Sequence, residues 1–133
     1  MMQRVLMAVA IAGCSFVIVA AAQAPTRTTN DGVYTAAQAA RGKTLFESKC
    51  TGCHEPSRFM GATFYEAWDG KPMKEIWDIA SGTMPEDNPG SLKQQEYGDI
   101  LAYFLSLNEF KPGDAELQGN AASMAAIKIE KKK

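Results

Sequence analysis

Cys50-Thr51-Gly52-Cys53-His54 constrains this chain more than any other stretch, because C-x-x-C-H is the pattern by which a porphyrin becomes bonded to a polypeptide. Two cysteines three positions apart lie on one side of a helical turn, so both thiols can reach the vinyl groups while the adjacent histidine points at the metal. His54 is then the proximal ligand of a c-type haem, with Cys50 and Cys53 as its covalent attachment points. Two other readings compete. A thiol redox pair needs a βαβ context that the sequence does not display. A structural zinc site needs four protein ligands, and His54 is the sole histidine of the chain.

Residues 1–24 read as an export signal, with Arg4 in a positive n-region, an apolar h-region over 5–21 and small residues at the boundary. Cleavage could follow Ala22 or Ala24. Two alternatives stand beside it: lipidation of Cys14 within Ile11-Ala12-Gly13-Cys14, and retention as an anchor, since about 18 apolar residues is the lower limit for spanning a bilayer. Export places the mature protein in the periplasm, with membrane attachment only if the segment is retained or Cys14 is lipidated. It also removes one of three cysteines and leaves the haem-motif pair, so no structural disulfide is expected.

Charge excludes one class of partner. The chain has 14 Lys and Arg against 15 Asp and Glu, and loss of Arg4 with the signal leaves a net charge of −2, which gives no electrostatic case for nucleic acid. Lys128, Lys131, Lys132 and Lys133 read as a solvated basic tail.

The remaining chain divides into a flexible lead over 25–33, a domain over 34–110 and a C-terminal extension over 111–133. Thr35 with Gln38 makes a capping box for a helix over 35–49, preceded by Tyr34. Phe64, Tyr65 and Trp68 mark a short helix ending at Gly70, and Ile76, Trp77 and Ile79 a second over 73–81 stopped by Gly82. Ser91 with Gln94 caps a last strong helix whose stripe is Leu92, Tyr97, Ile100, Leu101, Phe104 and Leu105. Residues 121–129 form a weak helix or an extended segment. About 75 residues is little for a self-sufficient core, so the haem is expected to complete it.

With one axial position taken by His54, function turns on the other. Of the methionines beyond the signal, Met60 follows the motif too closely and Met124 falls in the tail. Met84, between Gly82 and Pro85, sits on a constrained loop before the last helix and is the preferred ligand, with Met73 its rival. A methionine that does not ligate iron would fill the core.

Thr83-Met84-Pro85, together with Gly42 and Phe46 before the haem motif and the closing segment 99–105, resembles the class I bacterial cytochromes c. That resemblance implies an all-α class I cytochrome c fold, with crossed N- and C-terminal helices around one haem c; Gly42 would permit the crossing and Phe46 would meet Ile100 and Tyr103. It further implies His54/Met84 ligation and an electron carrier without substrate turnover of its own. Residues 84–92, with Tyr97 and Asp99, are similar to periplasmic cytochromes associated with quinoprotein dehydrogenases, so the implied partners are such a dehydrogenase, a respiratory complex or a terminal oxidase, met transiently. Permanent residence in a dehydrogenase or oxidase complex and haem-based sensing of a small ligand are the alternatives. The family's Gly-Pro pair after the haem motif is reduced here to Pro56, which leaves the carbonyl partner of the His54 ring open. Trp68 and Trp77 are candidate donors to haem propionates, and Arg41, Lys49 and Arg58 candidate counter-ions.

Overall fold

Helix α1 (Ala36–Lys49) begins where the sequence says it should: Thr35 is extended, and its hydroxyl accepts from the backbone N–H of Gln38. The other half of the expected capping box does not form. Gln38 is fully buried, and its amide instead bridges Asp99 and the main chain of Leu117. The computed structural model describes residues 25–132; residues 1–24, with Cys14 and the expected export signal, lie outside them.

Three more long helices follow: α2 (Gly61–Trp68), α3 (Met73–Thr83) and α4 (Gln94–Leu107). Helix α3 runs through Gly82, where glycine was expected to stop it; Gly82 has nothing packed against its Cα, so it is tolerated as an ordinary helical residue. Helix α4 starts at Gln94 rather than behind a Ser91 cap, because the Glu96 carboxylate accepts from the Lys93 N–H at 2.7 Å and closes the first turn two residues later.

Helices α1 and α4 pack across each other at Gly42. A Cβ there would overlap the carbonyl oxygen of Asp99 and approach Ile100 N to 3.0 Å, so only glycine permits this approach. Beside the crossing, Arg41 pairs with Asp99 at 3.0 Å and with Glu116 at 2.9 Å, which holds its guanidinium pKa above the ordinary range and takes it out of the set of propionate counter-ions. Phe46 packs against Tyr103 and Phe104, with ring centroids 5.7 and 5.6 Å away. The fold is the expected all-α one.

The two chain ends differ from their sequence reading. Residues 25–33, expected to be flexible, form β1 (Arg27–Thr28) and a 3-10 turn, with Thr29 and Val33 buried. Residues 111–133, expected to be an extension with a weak helix or extended segment over 121–129, carry both helix α5 (Ala121–Ala125) and strand β2 (Ile127–Lys128), and supply Leu117, Met124, Ile127 and Ile129 to the core. The strands pair in parallel, Arg27 opposite Ile127 and Thr28 opposite Lys128. Ile129 also exchanges backbone hydrogen bonds with the α2–α3 connection, donating to Lys71 O and accepting from Gly70 N, both at 2.8 Å. The basic residues here are partly neutralised: Lys128 lies by Glu130 and Lys132 by Glu109.

Candidate functional site

The end of α1 carries the C-x-x-C-H run. Cys50 is its C-cap, donating to Phe46 O at 2.8 Å, and the next turn closes when the Cys50 carbonyl accepts from both Cys53 N at 3.1 Å and His54 N at 2.9 Å. That double acceptance folds the five residues into one turn and presents all three functional side chains to the same side. Cys50, Cys53 and His54 all line a cavity of about 560 Å³, and Met84 lines it too.

The walls are apolar: Phe46, Phe59, Ile76, Ile100 and Phe104 enclose the space, with Lys49, Glu86 and Asp87 also on its lining. Ile79, on the outward face of α3, also borders the cavity, yet its side chain is 51% exposed. Phe59 sits edge-on to the His54 ring at 5.7 Å and stacks flat on Phe104 at 4.2 Å, so the imidazole is steered by a ring that α4 itself fixes. Asn108, at the end of α4, locks that contact by donating to Phe59 O and accepting from Gly61 N. Sequence reading missed Phe59 and Asn108, since neither belongs to a motif and their role arises from contact across about fifty residues of chain.

The methionines separate cleanly. Met73 and Met124 are buried in the core away from the cavity lining, Met60 is an exposed surface residue, and Met84 alone of the four reaches the cavity. Met84 caps the C-terminus of α3, its N–H donating to Ala80 O at 3.1 Å, and a cis peptide joins it to Pro85. Of the two tryptophans, Trp68 lines the cavity, with the Lys71 ammonium 5.3 Å from its ring centroid, while Trp77 is buried with an unpartnered indole N–H.

The donor set and the space suit a tetrapyrrole. The His54 Nδ1 is buried with no hydrogen-bond partner, an arrangement costly for a plain core histidine and accordingly one that calls for a functional explanation. Burial pushes the Cys50 thiol up, which disfavours the thiolate that a redox-exchange pair requires. Among the described residues no three His, Cys, Asp or Glu side chains come together as a metal-holding group, so the structural-zinc reading finds no donor set.

Residues 37–104, half of the chain, match the family model described as cytochrome c oxidase, cbb3-type, subunit III, a c-type cytochrome domain. The chain belongs to this cytochrome family. No curated protein and no solved structure matches the cytochrome. Its family carries covalently bound haem c with iron, and its function is haem-based electron transfer. Within the cytochrome the match begins at the first turn of α1 and ends near the end of α4, so it spans the cavity and both helices that cross behind it.

Proposed function

We propose that Cys50 and Cys53 hold the haem through thioether bonds, that His54 and Met84 are its two axial ligands, and that the protein is an exported, diffusible one-electron carrier. The observation that carries this reading is the convergence of all four side chains on one apolar cavity of about 560 Å³. Bound there, the haem supplies a ferric/ferrous couple that exchanges one electron without making or breaking substrate bonds.

The chain's own residues set the conditions for that exchange. The thioether of Met84 is a soft donor that favours ferrous iron and raises the potential relative to harder ligands. Phe46, Phe59, Ile76, Ile100 and Phe104 exclude water from the space around the axial ligands. Exposed Cys53 marks the side on which the cavity approaches the surface, where a partner can dock and leave. The carrier works in the periplasm, taking electrons from a quinoprotein dehydrogenase or respiratory complex and delivering them to a terminal oxidase. No helix among the described residues is long and apolar enough to cross a membrane.

Spectra of protein exported in a haem-maturing host test the ligation. A pyridine haemochrome of the c type, with the weak far-red band of methionine on ferric haem lost in Met84→Ala and kept in Met73→Ala, is the expected result. Covalent haem without that band moves the function to binding or sensing a small ligand, and absence of covalent haem overturns the proposal. The family description, which names an oxidase subunit, favours a second reading in which the cytochrome stays bound to an oxidase. Gel filtration of membrane extracts separates the two: a free monomer supports the shuttle, a stable complex the subunit.

A further inference from the structure

Tyr97 lies on the first turn of α4, is 1% exposed, and reaches from the cavity wall to the backbone of the methionine loop. Its hydroxyl donates to the Met84 carbonyl at 2.6 Å and accepts from Leu92 N at 3.4 Å. Gly90 N donates to the same Met84 carbonyl at 3.3 Å. Met84 is therefore held on both sides of its Cα: its N–H is tied into α3 through Ala80, and its carbonyl is tied into α4 through Tyr97. Of these holds, the Tyr97 bond is the only one made by a side chain, and it crosses from the loop to a helix that the Gly42 contact and the Gln38–Asp99 bond fix against α1.

We infer that Tyr97 is a positioning residue for Met84: by fixing the carbonyl of the residue that presents the thioether, it sets how readily that thioether yields its place to an external ligand. The inference rests on Met84 being an axial ligand. A purely structural role, in which the hydroxyl only satisfies a buried carbonyl, predicts lower stability and nothing more.

Tyr97→Phe keeps the ring in the wall and removes only the hydroxyl. Tyr34→Phe is its matched control, because Tyr34 is equally buried and its hydroxyl likewise donates to a main-chain oxygen, Phe110 O at 2.5 Å, away from the cavity lining. The readout is the rate at which imidazole abolishes the far-red methionine band of the ferric holoprotein, with thermal midpoints measured in parallel. The expected result is an increase of about five- to tenfold in Tyr97→Phe, the factor one net hydrogen bond sustains, and less than about twofold in Tyr34→Phe. A band already lost at rest in Tyr97→Phe and present in the parent supports the inference equally. Equal rates in the parent and Tyr97→Phe, or equal acceleration in both variants, overturn it. A parent that lacks the band refutes Met84 ligation instead, so failure of the two ideas is told apart.

Discussion

Replacing Gly42 by alanine isolates the contact on which the crossing of α1 and α4 depends. The added methyl would overlap the Asp99 carbonyl and come within 3.0 Å of Ile100 N, and both obstacles are backbone of a helix that cannot rotate aside. The added Cβ would lie 1.8 Å from Asp99 O, so the helices must separate by roughly 1.6 Å to restore ordinary contact. That shift strains the Gln38–Asp99 and Arg41–Asp99 bonds and loosens Phe46 against Tyr103 and Phe104. Overpacking of this kind costs about 1–3 kcal/mol, and the immovable neighbour places Gly42→Ala at the upper end. Alanine returns about 0.5–1 kcal/mol of helix propensity, so the expected net loss is about 2 kcal/mol, or roughly 8 °C in midpoint for a domain of this size. Gly82→Ala supplies the contrast: Gly82 is also inside a helix, and a Cβ there meets nothing, so propensity alone acts and the variant should gain a few tenths to about 1 kcal/mol. Urea and thermal unfolding of both holoproteins decide the matter. A Gly42→Ala protein as stable as Gly82→Ala refutes the close approach.

Haem removal should leave the fold without its centre, because Phe46, Phe59, Ile76, Ile100 and Phe104 around the cavity of about 560 Å³ lose the surface they pack against, so well-dispersed amide spectra from haem-free protein would contradict this. Met124→Ala truncates a fully buried side chain of the C-terminal extension and should cost about 2–5 kcal/mol in denaturant unfolding while leaving the haem spectrum unchanged; a loss below 1 kcal/mol would mean the extension is dispensable. Burial pushes the Tyr34 phenol up, so its contribution to stability is complete below the unfolded phenol's value near 10 and is lost as pH rises towards the folded value. Tyr34→Phe should accordingly flatten the alkaline decline in thermal midpoint, and an unchanged slope would show that Tyr34 does not titrate with unfolding.

Legibility followed the range of the interactions. The start of α1 was readable because Thr35 acts on Gln38 three residues away, and the turn over 50–54 because its five residues are contiguous. The start of α4 was misplaced because Ser91–Gln94 and Lys93–Glu96 present the same spacing, and only the structure shows which carboxylate or amide reaches the helix N–H. Tyr97 looked like one apolar member of a stripe; nothing local says that its hydroxyl meets Met84, thirteen residues earlier. The burial of the C-terminal extension was not legible for the same reason in stronger form. Met124 and Ile127 are three apart and Ile127 and Ile129 two apart, a run too short to decide between helix and strand, and the burial of these residues and of Leu117 comes from docking against Gln38, α3, residues 27–28 and the α2–α3 connection.

The closure of the molecule by its own two ends bears on the order in which it can be assembled. Thr29 and Glu130 exchange hydrogen bonds at 3.0 Å across 101 positions of sequence, and the strands beside them pair in parallel. Bringing such distant segments together carries the largest loop-closure entropy among the described residues and is rewarded only after everything between them is in place. The helices on either side of residues 50–54 close over short stretches of chain and can form early, whereas the clasp between residues 27–29 and 127–130 waits until the chain between them has folded.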